Sequence, residues 1–321
     1  MFDILPGVVL PVREVTSRLA SMWETDSPDS PLAFHASQMN VILHFGPTTK
    51  LNNVRSQFDA LIRFAQRYPC RIIVLCPTSS NPVDGMKSKL FSQCYIGKSH
   101  REMCCCEALI LPYNPMNSEH LFNQVSIWLE GDLPVYYWFS EMSVQHVERH
   151  LDEMRKLGVR RCVFDSSENS GQSVALHLPD KIKTGDLAAA RLLPMRQIIG
   201  QFLSQYTIAT ICEGLKSIQV CHKAASGEAS SLLEWVKACL DRCSMDEPNP
   251  SFLLKEAQSG SSCLLELEFV FSNEKYFICK WLNDDLRCEL KAVFGEGPEW
   301  SHVPIKPLTD EQALAEAFFH I

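Results

Sequence analysis

Three consecutive cysteines, Cys104, Cys105 and Cys106, are the residues of this sequence best suited to chemistry. The surrounding pattern predicts a β-strand, in which the first and third side chains share one face and the second points to the other. Adjacent cysteines do not pair with each other without strain. Two interpretations stay open: small residues of a buried strand, or redox-responsive thiols whose pKa is lowered by Lys98, His100 and Arg101.

The other motifs that could carry chemistry are incomplete. The segment Gly46–Lys50 (GPTTK) lacks the spacing of a phosphate loop, and Gly295–Gly297 holds only two glycines of a dinucleotide-binding fingerprint. Cys239 and Cys243 lie four residues apart on one helix face, whereas a structural zinc ion needs four ligands. No nucleophile elbow and no metalloprotease motif occurs. The sequence therefore predicts no catalytic residue, no bound cofactor and no metal ion.

Basic residues form two groups. One group, at 155–161, comes second along the chain, lies beside acidic residues and is typical of a solvated helix face. The first group is suited to a phosphorylated ligand or an acidic partner, and it comprises Lys87, Lys89, Lys98, His100 and Arg101. A sensor of a phosphorylated ligand therefore stays an alternative interpretation of this chain.

Strands and helices alternate in the first half of the chain, which predicts a largely parallel sheet with helices on both faces. Predicted helices fall near 12–23, 54–65, 118–129 and 143–158. The predicted strands are Gln38–Gly46, Arg71–Cys76, Ser92–Ile96, Met103–Leu111, Val135–Phe139 and Cys162–Asp165. Binding sites in such sheets lie beyond the carboxyl ends of the strands. Here those ends include Phe139–Glu141 and Asp165–Ser167.

A polar stretch between Ser166 and Lys183 predicts a domain boundary near residue 175. We therefore expect a Rossmann-like α/β domain over 1–175 and an α+β domain with an antiparallel sheet over 176–321. The second domain is predicted to contain two helical stretches, a loop at 244–262, three consecutive strands and a closing helix. These are Leu187–Tyr206, Ser231–Leu240, Leu264–Phe271, Lys275–Trp281, Arg287–Phe294 and Gln312–Phe319.

Composition limits the function classes. The 321 residues are 46% hydrophobic and 21% charged, as in a globular protein, and the net charge is −8. That charge disfavours nucleic acid and anionic membrane surfaces as partners. The sequence shows no membrane-spanning run and no secretory signal, and its 14 cysteines are scattered instead of framing a small disulfide scaffold. We expect a cytoplasmic protein.

Several segments resemble the OpcA family. Gly131–Phe139 (GDLPVYYWF) is similar to a family segment in which Leu-Pro-Val leads into an aromatic strand containing tryptophan, here Trp138. Asp186–Phe202 (DLAAARLLPMRQIIGQF) resembles the family pattern D-L-x-W-A-R-L-T-P-W-R-E-x-x-A-Q-F. Ala189 and Met195 stand where the family has tryptophan. The positions that keep the pattern are Asp186, Leu187, Ala190, Arg191, Leu192, Pro194, Arg196, Gln201 and Phe202.

The resemblance implies a non-catalytic assembly factor or allosteric activator of glucose-6-phosphate dehydrogenase in the oxidative pentose phosphate pathway. A structural subunit without effect on the kinetics stays an alternative. The implied partner-interface residues are Trp138, Asp186, Arg191, Pro194, Arg196 and Gln201. Helical spacing predicts that Leu192, Met195, Ile199, Phe202 and Tyr206 face the core, and that Arg191 and Arg196 need a compensating anion near a helix start. Asp165 and Asp186 are the candidates for this anion within the chain. A binding partner could instead supply it from outside.

Overall fold

The computed structural model describes residues 1–23, 37–78, 87–96, 103–115, 121–168, 182–223, 227–243, 250–257, 263–282, 286–295 and 297–320. The helices and strands up to residue 186 are, in chain order, β1 (Val8–Pro11), α1 (Val15–Trp23), β2 (Met39–Phe45), α2 (Leu51–Arg67), β3 (Cys70–Pro77), β4 (Lys87–Ile96), β5 (Met103–Tyr113), α3 (Leu121–Trp128), β6 (Val135–Ser140), α4 (Val144–Arg149), α5 (Leu151–Lys156), β7 (Val159–Phe164) and β8 (Lys183–Asp186).

The remaining elements are, in the same order, α6 (Leu187–Arg191), α7 (Leu193–Leu203), α8 (Ile208–Cys212), β9 (Leu215–His222), α9 (Gly227–Asp241), β10 (Ser251–Glu256), β11 (Cys263–Phe271), β12 (Tyr276–Leu282), β13 (Arg287–Val293), β14 (Glu299–Pro304) and α10 (Asp310–Phe319). The chain forms two compact units. Residues up to 164, residues 182–185 and α10 belong to the first unit, whereas residues 165–168 and 186–309 belong to the second.

The first unit is built on an eight-stranded sheet in the order β1-β4-β5-β3-β2-β6-β7-β8. The five central strands β5, β3, β2, β6 and β7 run parallel, and β1 and β4 pair antiparallel to their neighbours. Every residue of β2 and of β6 is buried, because helices cover both faces of a doubly wound sheet. The predicted fold class, a mostly parallel sheet with helices, is confirmed.

Helix α2 shows how the helices of the first unit attach to the sheet. Its buried residues recur at helical spacing, among them Val54, Phe58, Leu61 and Ala65, so one face of the helix packs against the core. Helix α10 packs beside α2, where the rings of Phe318 and Phe64 meet edge to face at 5.5 Å. The C-terminal helix is therefore part of the first unit's core.

The second unit is built on a six-stranded sheet in the order β10-β9-β11-β12-β13-β14. Strands β9, β11, β12, β13 and β14 pair antiparallel, as predicted for this region, while the edge strand β10 pairs parallel to β9. In β11, alternate residues are buried, so one face of the sheet carries the core. That core includes the buried Leu192, Met195 and Ile199 with Phe202 and Tyr206 packed against it, which confirms the predicted inward face.

Three strands of the second unit were not predicted. The sequence of β10 lies within the predicted loop 244–262, and most of its side chains are exposed. An exposed edge strand has no hydrophobic alternation to reveal it. Strands β9 and β14 were also missed, and in β14 the exposed residues include Trp300.

Candidate functional site

The carboxyl ends of β2 and β6 meet where the strand order of the first unit's sheet reverses. Strand β2 pairs with β3 on one side and with β6 on the other, and α2 begins at Leu51, five residues after Gly46. In doubly wound sheets the crevice at this point receives the ligand, and the helix N-terminus receives its phosphate. This crevice is therefore the first candidate site.

The crevice is occupied by the chain's own residue Glu141. The amide of Gly46 donates to the carbonyl of Ser140 at 2.8 Å, and a Cβ added at Gly46 would lie 2.3 Å from the carbonyl oxygen of Glu141. The carboxylate of Glu141 accepts from the Lys50 amide at 3.3 Å and from the Asn53 side chain. A carboxylate thus stands at the start of α2, where a dinucleotide-binding sheet would hold phosphate.

Glu141 also has an unusual backbone conformation. Its φ is 45°, a left-handed conformation that is uncommon for a residue with a side chain. That conformation ends β6 and accompanies the contacts of the side chain with the start of α2. The close approach of Gly46 to Glu141 leaves no space for a pyrophosphate at this βα turn. The segment Gly46–Lys50 also lacks the glycine-rich loop that a pyrophosphate site requires.

A second polar cluster surrounds Arg191 in the second unit. Its guanidinium donates two hydrogen bonds of 2.8 Å to the two carboxylate oxygens of Asp165, and further ones to Glu228 at 2.8 Å and to Ser167 at 2.7 Å. The pKa of Asp165 is lowered: burial would raise it, but the hydrogen bonds and charge of Arg191 outweigh burial. The compensating anion of Arg191 is therefore internal. Asp165, one of the two predicted candidates, supplies it.

Asp186, the other predicted carboxylate, binds elsewhere. It caps α6 by accepting from the Ala188 amide at 3.0 Å. Its carboxylate also accepts from the amide and hydroxyl of Ser166, at 3.0 and 2.7 Å, and from the hydroxyl of Ser231 at 3.1 Å. Asp186 therefore fixes the loop after β7 and the start of α6.

The remaining interface candidates differ in exposure. Pro194 lies in the first turn of α7, as predicted, because its ring fits only near a helix start. Pro194 and Arg196 are half-buried and Gln201 is exposed.

Trp138 lies in β6 and is 4% exposed. Its indole nitrogen has no hydrogen-bond partner among the residues the structure describes. The segment that leads into this strand is held by Asn40, whose amide nitrogen donates to the carbonyls of Glu130 and Leu133 at 3.0 and 3.3 Å. The Gly131–Phe139 motif thus forms a loop and a buried strand, so Trp138 packs in the protein's own core.

The cysteine run lies in β5, opposite β4. Cys106 is 1% exposed, whereas the side chains of Cys104 and Cys105 lie outside what the structure describes. In the first basic group, Lys89 is 6% exposed and donates to the carbonyls of Phe2, Asp3 and Leu5 at 2.8, 3.1 and 2.8 Å. Lys89 therefore holds the N-terminal segment. Lys87 is exposed, and Lys98, His100 and Arg101 lie outside the described residues.

We expect Cys106 to resist alkylation in the native protein, because its thiol is buried and inaccessible. Reactivity of at least one thiol in the run stays a prediction for Cys104 and Cys105. Iodoacetamide labelling with mass spectrometry, before and after unfolding, measures both. Labelling of native Cys106 contradicts its burial, and protection of all three until unfolding makes the run structural.

A buried polar group that the sequence did not reveal lies beside β2. The Nδ1 atom of His44 is 2.6 Å from the Tyr137 hydroxyl, and its ring lies 4.9 Å from Tyr113 and 5.3 Å from His150. Burial lowers the pKa of His44 well below its usual 6.5, and the charges of His150 and His146 act in the same direction. The one sequence signal was a histidine within the apolar run Val41–Phe45 of strand β2.

The described residues contain no group of three or more His, Cys, Asp or Glu side chains arranged to hold a metal ion. Within the same part of the chain, no helix is long and apolar enough to cross a membrane.

Comparison with known proteins finds matches to part of this chain. Residues 62–178 match the OpcA family described as the glucose-6-phosphate dehydrogenase subunit N-terminal domain. A putative OxPP cycle protein OpcA of Synechocystis is 26% identical over 137 residues, which are 41% of this chain and 29% of that protein. The match thus spans less than a third of that relative's length.

A solved structure shares the fold. An X-ray crystal structure of glucose-6-phosphate 1-dehydrogenase from Mycobacterium avium superposes with a TM-score of 0.50 and 12% identity, covering 88% of this chain and 87% of that chain. At that identity the likeness concerns the fold alone. The family match covers Trp138, Glu141 and the cysteine run, while Asp186–Phe202 lies beyond it. The predicted resemblance to the OpcA family is confirmed, and the family match covers residues 62–178.

Proposed function

We propose that this chain is a non-catalytic, cytoplasmic partner of glucose-6-phosphate dehydrogenase, which assists its assembly and raises its activity. The family description names a subunit of that enzyme, and the matched relative is described as an OxPP cycle protein. The observation that carries the non-catalytic part is Glu141, whose carboxylate stands at the start of α2.

The closed crevice argues against nucleotide chemistry on two physical grounds. The amide of Lys50, which would face a phosphate, already donates to Glu141, and the carboxylate would repel a phosphate placed beside it. Gly46 has no room for a ligand on the side of Glu141, because the backbone of that residue lies against it. A fold that resembles a dehydrogenase does not bring the activity with it, because function depends on the residues of the site.

The alternative of a phosphorylated-ligand sensor has less support. One of its five candidate basic residues, Lys89, is used by the chain itself to bind three carbonyl oxygens. A structural subunit without kinetic effect differs from the proposal only in what it does to the bound enzyme. Activity measurements on the complex therefore distinguish these two.

Among the interface candidates, α7 offers the residues that a partner can reach. Gln201 is exposed, and Arg196 and Pro194 are half-buried. Asp186 and Arg191 are engaged in hydrogen bonds within the second unit, and Trp138 is buried. We propose that the latter three support the fold and that the exposed side of α7 belongs to the interface.

The purified chain is expected to neither bind NADP nor oxidise glucose 6-phosphate. Isothermal titration with NADP should give no heat of binding at ligand concentrations up to about 1 mM, so that any dissociation constant is weaker than about 1 mM. The Glu141→Gln variant, which keeps the shape and removes the charge, should also remain inactive, because the sequence carries no catalytic motif that could act at the crevice. Turnover by either protein, with contaminating dehydrogenase excluded, contradicts the non-catalytic part of the proposal.

A further inference from the structure

Helices α7, α8 and α9 of the second unit enclose an apolar pocket of about 180 Å³. Its floor includes Ile199, Val236 and Phe269, which are at most 3% exposed. At its edge lies Ile208, which is 55% exposed although it is a large apolar side chain. The pocket is thus a cavity with a dry floor that opens to the outside.

Gly200 borders this pocket and is exposed. It lies in the interior of α7 and lines the pocket, and a Cβ added there would meet nothing within 4 Å. Glycine is less favourable than alanine inside a helix. No positive φ and no close contact of the described residues requires a glycine at this position. A larger side chain at this position would therefore have open space around it.

The size of the pocket indicates what fills it. Sites for small molecules usually enclose about 300–1,000 Å³, so a cavity of about 180 Å³ suits a single side chain. Its walls are apolar side chains and cysteines, including Leu203, Trp235 and Cys239. Buried pockets that receive one large apolar or aromatic side chain are typical of the centre of a protein interface.

Positive charge lies beside the pocket. Burial raises the pKa of the Cys239 thiol, and the positive charges of Arg242 and Arg196 act on it in the opposite direction. Arg242 is exposed, at the end of α9, and the chain as a whole carries a net charge of −8. An exposed arginine beside the pocket favours a partner surface that carries a carboxylate next to its apolar contact.

We infer that this pocket receives one apolar or aromatic side chain of the dehydrogenase, flanked on that enzyme by acidic residues. The inference rests on the proposed function, because it gives a contact surface to the partner proposed above. Gln201, the residue of α7 that follows Gly200, is also exposed.

Filling the pocket from within tests the inference. In Gly200→Leu the new side chain enters the space that the anchor would occupy, while leucine favours the helix more than glycine does. We expect the dissociation constant for the host's glucose-6-phosphate dehydrogenase to rise at least tenfold, with a melting temperature equal to or above that of the unmodified chain. The control is Gly200→Ala, which adds only a methyl group and should bind within about threefold of the unmodified chain.

A second variant acts at the exposed edge, where folding is not at stake. Ile208→Glu places a carboxylate beside the pocket and should weaken binding at least tenfold, and Arg242→Glu should slow association most at low salt. If the unmodified chain binds the dehydrogenase and both Gly200→Leu and Ile208→Glu bind within twofold of it, the pocket inference is overturned and the proposed function stands. If the unmodified chain does not bind, both are overturned.

Discussion

Replacing Arg191 with alanine is expected to lower the free energy of unfolding by about 3 kcal/mol. The side chain of Asp165 is only 9% exposed, and both of its oxygens accept hydrogen bonds from Arg191. Removing the guanidinium leaves a buried carboxylate without its counterion, which costs more than the loss of a surface ion pair. Urea denaturation followed by circular dichroism measures the change, with an unaltered slope as the sign that the folded state is otherwise intact.

The control for this prediction is Arg160→Ala. Arg160 is exposed on β7, so its removal should change the free energy of unfolding by less than about 0.5 kcal/mol. Arg191→Ala at that same level would contradict the internal role and return Arg191 to the list of partner contacts.

The ion pair also sets a pH dependence. Because the folded pKa of Asp165 is lowered, its stabilising effect is present above the unfolded pKa of about 3.9 and is lost as the pH falls further. The difference between the unmodified chain and Arg191→Ala should therefore shrink below about pH 4.

Acidification below about pH 6.5 is expected to destabilise the protein through His44. The folded state keeps this histidine neutral, with a pKa well below 6.5, whereas the unfolded chain binds a proton there. The stabilisation is therefore fully present above the unfolded pKa and decreases as the pH falls, with a slope that approaches about 1.4 kcal/mol per pH unit for this one group. The positive charge would otherwise be buried beside Tyr137 and His150.

Denaturation curves between pH 7.5 and 5 test this prediction with the variants His44→Gln and His320→Gln. His44→Gln should lose most of the dependence of the free energy of unfolding on pH. Part of it should remain, because burial also lowers the pKa of His150. The second changes an exposed histidine and should keep the full slope. Equal slopes in all three proteins would show that His44 takes up its proton without cost.

The parallel sheet could be predicted because its strands are continuous apolar runs. Strands β2, β3 and β6 each contain long buried segments, and such runs indicate strands covered on both faces. Strand β10 could not be predicted, because most of its side chains are exposed. Its place in the sheet comes from pairing with β9, which no local pattern encodes.

The candidate site was predicted in part. The carboxyl ends of β6 and β7, at Phe139–Glu141 and Asp165–Ser167, were expected to border a site, and both carry the polar contacts described above. That Glu141 would reach Lys50 and Asn53 depends on the pairing of β2 with β6, which joins segments far apart in sequence. Gly200 appears in sequence as an ordinary helix residue, since only the packing of α7, α8 and α9 reveals the space beside it.

Binding of the purified chain to its host's glucose-6-phosphate dehydrogenase is the decisive test of the proposed function. The measurement is titration of the enzyme with the chain, following complex formation by analytical size-exclusion chromatography and activity at subsaturating glucose 6-phosphate. We predict co-elution at micromolar concentrations and a saturable rise in kcat/KM, with no turnover by the chain alone. Separate elution of the two proteins, with unchanged enzyme activity at every concentration of the chain, would overturn the proposed function.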